Sequence, residues 1–188
     1  MGNVKLNALL EGVSGKVGSN LVLRKRGKRT ILATNGERTG VLTEKQKVVR
    51  ERFKNAATYA KSALRNPEIK AVYEAAAKGD EFMTAFTVAV RDYLRPPQIA
   101  AILLEGYTGQ PGSIIQVRPI DDFKIVRINV SINAPDGTLL ETGDAVQQDG
   151  EMDYQYAAVQ ANAVLAGTKV TVKAIDRPGN ETIEERVL

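Results

Sequence analysis

The chain has 188 residues, 43% of them hydrophobic, which is enough for a buried core in one large domain or two small ones. It has no cysteine and no histidine, which excludes disulfides, thiolate nucleophiles, imidazole acid–base chemistry and the usual zinc sites. Residues 1–97 carry a net charge of +10 (19 Lys and Arg, 9 Asp and Glu), whereas residues 98–188 carry −6 (7 and 13). This asymmetry predicts an anionic partner for the first half, or contact between the front of one molecule and the back of another.

Glycine recurs too often in residues 1–42 for a helix, so short strands are expected there. Two apolar runs, Leu21–Leu23 and Thr30–Leu32, flank a basic stretch that contains a glycine. This pattern predicts a β-hairpin over residues 20–34 with a basic tip. The candidate partner-binding cations lie around that tip: Arg24, Lys25, Arg26, Lys28 and Arg29.

The predicted hairpin has an electrostatic problem of its own. With the turn at Arg26-Gly27, Lys25 would lie opposite Lys28, and Arg24 would lie opposite Arg29. Like charges in opposed positions destabilise a hairpin, so an anionic partner would relieve the repulsion. The partner would be a phosphate backbone, an acidic protein surface or another copy of this chain, and the alternative is a solvated turn whose side chains extend into water.

Three helices are predicted next, at about 43–65, 67–78 and 80–94. Thr43 followed by Gln46 forms a capping-box pattern, Asn66-Pro67 restarts the chain, and Asp80 is expected to cap the third helix. Apolar residues recur at helical spacing, so each helix is expected to bury one face. Those of the first helix are Val49, Phe53, Ala56, Ala57, Ala60, Ala63 and Leu64. The aromatic stripe of the third helix is interpreted as core packing: Phe82, Phe86 and Tyr93.

From residue 98 onward the apolar period changes to two, which is typical of strands with one buried face. Val126, Ile128, Val130 and Ile132 alternate with polar residues, and so do Val170, Val172 and Ala174. Further strands are expected at 99–105, 114–118, 138–142, 154–159 and 182–188, separated by turn signals. The fold class is therefore predicted as α+β: a first domain at 1–97 with the hairpin and three helices, then an antiparallel β-sandwich at 98–188.

Two resemblances add to this reading. The segment Val170–Asp176 has the form Val-x-Val-x-Ala-x-Asp and is soon followed by Gly179-Asn180, which resembles the closing strands of bacterial immunoglobulin-like domains. That resemblance implies an immunoglobulin-like sandwich, whose relatives serve as spacers, adhesin modules and assembly units. The first half is similar to an uncharacterised bacterial family of the Bacteroidota type, which has no assigned activity. The similar segments are 12–18, 53–64 and 85–94.

Acidic residues cluster near the predicted turns of the second half. Turn chemistry explains most of them, because Asp side chains bond their own backbone, and the spacing of an EF-hand is missing. No metal, cofactor or catalytic residue is therefore predicted. The acidic residues proposed to meet the basic tip of another copy are Asp121, Asp122, Asp144, Asp149 and Glu151.

The sequence thus predicts a non-enzymatic structural or interaction protein that binds itself or another protein. Head-to-tail contact of this kind gives filaments or rings, and a strand from 20–34 pairing with an open sheet edge would be a second mode. The alternative is a nucleic-acid-binding protein that uses the same cations on phosphates. Neither a membrane nor a small-molecule substrate is expected as a partner. Without a signal or membrane-spanning segment the default location is the cytoplasm, with export by a signal-independent route left open.

Overall fold

A computed structural model describes residues 2–4, 13–26, 29–35, 40–79, 82–148 and 152–188, and for residues 2–4, 26 and 29 it describes the backbone only. The chain divides into two compact units, the first Met1–Val90 and the second Arg91–Leu188. The sequence had placed this division after Pro97. The described residues are α+β, with three helices, a four-stranded sheet and a seven-stranded antiparallel sheet.

The elements of the first part of the chain are β1 Gly2–Val4, β2 Gly15–Val17, β3 Leu21–Arg26, β4 Arg29–Thr34, α1 Glu44–Ala63, α2 Pro67–Ala77 and α3 Ala85–Leu94. The strands that follow are β5 Gln98–Leu103, β6 Ile114–Ile120, β7 Ile125–Asn133, β8 Leu139–Gln147, β9 Tyr154–Ala157, β10 Lys169–Asp176 and β11 Glu181–Val187. Among the helices in these ranges, none is both long enough and apolar enough to cross a bilayer.

The small sheet has the strand order β1-β4-β3-β2, so β3 and β4 are both interior strands. Strand β2 covers only Leu21–Leu23 of β3, and β1 covers only Thr30–Leu32 of β4, so pairing of this segment with the sheet of another copy stays a prediction. The predicted register is wrong, because Lys25 lies opposite Thr30, and Arg24 opposite Ile31. The observed register leaves two residues between the strands, a favoured hairpin length, and opposes only one pair of cations, Arg26 and Arg29.

Helix α1 begins as the sequence predicts. The side chain of Thr43 accepts a hydrogen bond from the Gln46 backbone N–H (3.3 Å), and the Gln46 side chain accepts one from the Thr43 N–H (3.1 Å). Asn66 caps α2 in the predicted way, with Pro67 in its first turn. Helices α1 and α2 meet where the hydroxyls of Tyr59 and Tyr73 lie 2.9 Å apart.

The third helix starts later than predicted. Residues 82–84 are not helical, and Thr84 caps α3 by accepting a hydrogen bond from the Thr87 N–H (3.2 Å). The predicted cap, Asp80, lies outside the described residues. Phe82 therefore precedes α3 and is partly exposed, whereas Val88, Ala89 and Val90 are buried within the helix. The competing cap of Thr84, a residue type also favoured at this position, explains the difference.

The second unit contains a seven-stranded antiparallel sheet with the order β11-β10-β7-β8-β9-β6-β5. Its two edge strands, β11 and β5, lie close together, and the Thr182 hydroxyl donates a hydrogen bond to the Pro97 carbonyl (2.6 Å). The sheet is thus nearly closed into a barrel. Strand β8 pairs with β7 along most of its length and with β9 at its end, which carries the sheet around one side.

The core of this sheet follows the predicted alternation, with one change of phase. Val130 lies opposite Val172 and both are fully buried, as are their neighbours on the same face. Val126, predicted to be buried, is exposed, and Ile125 is buried in its place. The cause is a register shift between Ile175 and Asp176, since a β-bulge moves the side chains that follow it to the opposite face.

Candidate functional site

The basic tip is only partly described by the structure. Arg24 and Lys25 are exposed on β3, and neither forms an ion pair within the described part of the chain. For Arg26 and Arg29 the backbone positions are described, and Lys28 lies outside the described residues. Two of the five predicted cations are therefore placed on an accessible surface.

A second basic surface, which was not among the sequence predictions, lies on α1. The apolar stripe of this helix was expected to be buried throughout, but its first half is open: Val49 is 66% and Phe53 is 55% exposed. Farther along the same stripe, Ala56 and Ala60 are fully buried. The prediction of a buried face is therefore correct for the second half of the helix and wrong for the first.

The open half of the stripe forms a groove of about 520 Å³, which we call the α1 groove. Its lining residues are Leu42, Lys45, Gln46, Val49, Arg50 and Phe53. Gln46 is held in place by the capping box, so this end of the groove has a fixed boundary. Lys45 and Arg50 are exposed and form no ion pair among the described residues. The groove therefore combines an apolar floor with basic margins.

The acidic residues proposed as partners are mostly engaged inside the second unit. Asp122 accepts a hydrogen bond from Arg95 (2.7 Å) and lies 3.3 Å from the Nε of Arg91. Asp144 is bonded by Arg127 (2.8 Å), and this contact, followed by the amide of Asn129, holds the pKa of Asp144 below its usual value.

The remaining acidic candidates are less available or not described. Asp121 is partly buried, and burial raises its pKa, with the nearby Asp176 carboxylate adding to the effect. Its Oδ1 accepts the Asp122 N–H (2.8 Å), but its buried Oδ2 has no hydrogen-bond partner. Asp149 and Glu151 lie outside the described residues. Two exposed carboxylates that the sequence did not single out, Glu105 and Glu184, form no ion pair in the described ranges.

The two units therefore differ in how they use their charges. In the second unit most described cations form ion pairs: Arg91 and Arg95 with Asp122, Arg118 with Asp153, Arg127 with Asp144, Lys169 with Glu185, and Lys173 with Glu181. In the first unit the described ion pairs are Lys47 with Glu44 and Lys70 with Glu74. Among the described cations of the first unit, Arg24, Lys25, Lys45 and Arg50 are exposed and form no ion pair with another described residue.

The buried polar groups of the second unit hold loops in place. Glu141 is buried and accepts the backbone N–H groups of Val159 (2.8 Å) and Gln160 (3.1 Å). Burial, with the Glu141 carboxylate nearby, raises the pKa of Tyr156 to about 12. The described residues contain no group of three or more carboxylates that could hold a metal ion. The Glu141 contacts tie β8 to the loop that follows β9.

Comparisons with protein-family models, with curated proteins and with solved structures give no match. The function is therefore inferred from the surfaces of the two units. The sequence does contain a signal for the α1 groove, because Lys45 and Arg50 flank the apolar stripe, one on each side. What the sequence could not show is where along the helix the covering residues stop.

Proposed function

We propose that this chain is a non-enzymatic structural protein that associates with further copies of itself, the basic surface of one copy's first unit contacting the second unit of the next. The observation that carries the proposal is the imbalance of ion pairs. Arg24 and Lys25 are exposed and form no ion pair with a described residue, whereas most of the described cations of the second unit have carboxylate partners. Unmatched cations favour an acidic surface supplied by another molecule.

The acceptor surface on the neighbouring copy follows from the same contacts. Asp122 and Asp144 already have partners, so a new cation gains only the difference between two surface ion pairs, each worth about 0–1 kcal/mol. Glu105 and Glu184 are exposed and form no ion pair with a described residue, so they offer the full interaction. We therefore add Glu105 and Glu184 to the acidic residues that the sequence had proposed as the contact surface.

The fold of the second unit supports a structural role in the same way. A strand order in which β8 leaves β7 to pair with β9 is compatible with an immunoglobulin-like sandwich whose two sheets share one strand. We propose that reading as the finer description of the nearly closed sheet. Large apolar side chains exposed on both units, among them Val146 and Ile183 in the second, also favour protein contacts.

Nucleic-acid binding is the second candidate, and the exposed Arg24 and Lys25 favour it. Cations on one strand can neutralise phosphates without reading sequence, with an affinity that falls steeply with salt. Residues 21–34, which contain these two cations, include no aromatic residue, so base stacking is not expected to contribute.

Sedimentation velocity separates the two candidates. Nuclease-treated protein is examined alone and with a short DNA duplex, at low and high salt. Self-association predicts species larger than the monomer at low salt, and Arg24→Glu/Lys25→Glu should remove them. The matched control is Lys61→Glu/Arg65→Glu, which changes the same charge on exposed residues elsewhere in the first unit. A monomer that binds the duplex through Arg24 and Lys25 would support the second candidate instead.

A further inference from the structure

We propose that the α1 groove is a docking site for an amphipathic helix with acidic margins, supplied by a different protein. This surface is separate from the cations of β3 and goes beyond self-association. The groove lies on α1, where the stripe residues recur alternately at four and three positions along the chain. They are Leu42, Gln46, Val49, Phe53, Ala56, Ala60 and Ala63.

That alternation is the heptad pattern by which helices pack side by side, with apolar knobs entering holes on the facing helix. We call this heptad stripe of α1 the seam. Its second half is already covered, because Ala56 and Ala60 are fully buried. The first half is open over residues 44–55, all of them exposed, a length of about 18 Å at the rise of an α-helix. This length accommodates a partner helix of about three turns.

The charges beside the seam select the partner. Lys45 and Arg50 stand at the flanking positions on its two sides, and they line the groove. The acidic residues of this half, Glu44 and Glu51, lie on the opposite side of the helix by their spacing. A partner helix would therefore meet cations on both margins, and acidic flanking residues would complement them.

A second copy of α1 does not meet this requirement. A symmetric pair would place the same surface on both sides of the contact, so Lys45 and Arg50 would face cations of the other copy. Like charges across an interface weaken it and act against the wrong partner. The helices α2 and α3 of a second copy are not purely acidic partners either. Helix α2 carries Lys70 beside its glutamates, and α3 carries Arg91 beside Asp92.

The test uses two synthetic peptides of about two heptads, close to the length of the open half, both with leucine at the seam positions. One carries glutamate at the flanking positions and the other carries lysine, and their like charges keep each peptide from pairing with itself. Binding of fluorescent peptide to the full chain is followed by anisotropy at low and moderate salt. Peptide helicity is followed by circular dichroism.

We expect saturable, salt-weakened binding of the glutamate peptide, with a gain in helicity. Phe53→Asp should weaken it by about tenfold or more, because a charge then occupies the floor of the groove. Lys45→Glu/Arg50→Glu should reverse the preference, so that the lysine peptide binds. Lys54→Glu/Lys61→Glu makes the same charge change on α1 away from the seam and should leave the preference intact, as should Arg24→Glu/Lys25→Glu.

Five results would overturn the inference. The glutamate peptide fails to bind, or both peptides bind equally. Phe53→Asp breaks a self-associated form of the protein, which would assign the groove to a second copy. Vesicles rich in phosphatidylserine bind the wild-type chain but not Phe53→Asp, which would assign the groove to a membrane surface. Loss of peptide binding in Arg24→Glu/Lys25→Glu, with the groove variants unaffected, would leave the self-association proposal standing and remove this one.

Discussion

Val49 and Ala56 lie on the same apolar stripe of α1, yet Val49 is 66% exposed and Ala56 is fully buried. The helix therefore has a covered half and an open half, although its sequence pattern continues unchanged. The open half carries the α1 groove, and the covered half contains Tyr59, whose hydroxyl lies 2.9 Å from that of Tyr73 on α2.

Enlarging the two residues should separate these halves. Ala56→Leu forces extra methylene groups into filled space and should lower the free energy of unfolding by about 1–3 kcal/mol. Val49→Leu adds volume where the helix faces solvent and should change it by no more than about 0.5 kcal/mol. Urea unfolding followed by helical circular dichroism measures both. Equal costs would mean that both halves are covered.

The contact between α1 and α2 can be tested through its hydroxyl pair. The ring of Tyr73 is fully buried, and its hydroxyl lies 2.9 Å from that of the half-buried Tyr59. Tyr73→Phe should cost about 0.5–1.5 kcal/mol, the usual net value of one hydrogen bond, whereas Tyr73→Ala should cost about 3–5 kcal/mol because it leaves a cavity. Thermal unfolding compares them, and a Tyr73→Ala variant as stable as Tyr73→Phe would contradict the packing described.

The close approach of β8 to β9 gives a prediction for the second unit. A Cβ at position 143 would lie 2.8 Å from Cε2 of the buried Tyr156, so Gly143→Ala must displace that ring. We expect a loss of about 1–3 kcal/mol in unfolding free energy. The control is Gly40→Ala, because nothing lies within 4 Å of a Cβ there. If both variants unfold alike, the contact is wrong.

Asp121 gives a prediction for how the stability of the fold changes with pH. Burial raises the pKa of this carboxyl in the folded state, so folding favours its protonated form. Its contribution to stability is complete below the unfolded pKa of about 4 and is lost as pH rises through the higher folded pKa. Asp121→Asn keeps an oxygen for the Asp122 N–H and removes the charge.

The variant should be more stable than the wild type at pH 7, by less than about 1 kcal/mol because solvent screens a partly exposed group. The difference should vanish below about pH 4, where the wild-type carboxyl is protonated in both states. Urea unfolding at a series of pH values measures it. A variant that is less stable at pH 7 would show that the charged carboxylate is favourable in this loop.

Local signals predicted the ends and faces of many elements. The capping box of Thr43 and Gln46 is present as expected, and alternation along β7 and β10 placed Val130 and Val172 in the core. Such features depend on neighbours in the chain and on a period that one face imposes. The same alternation, together with the turn signals, predicted the seven strands that the structure has in the second half of the chain.

The errors arose where distant or competing groups decide the outcome. Val126 is itself the extra residue of a bulge in β7, because Ile175 of β10 pairs with Arg127 and Asp176 pairs with Ile125, and the start of α3 depends on Thr84 competing with an earlier cap. Exposure of Phe53 depends on what covers α1, which helical spacing does not encode. Likewise, the charge of Asp144 was visible in the sequence, but its partner Arg127 on a neighbouring strand was known only from the fold.

The most direct test of the central claim is the sedimentation of nuclease-treated protein at low salt, with Arg24→Glu/Lys25→Glu beside the wild type. The account predicts wild-type species larger than the monomer, which disappear in the variant and at high salt but persist in Lys61→Glu/Arg65→Glu. A wild-type chain that sediments as a monomer at every salt and concentration would contradict self-association through the basic first unit.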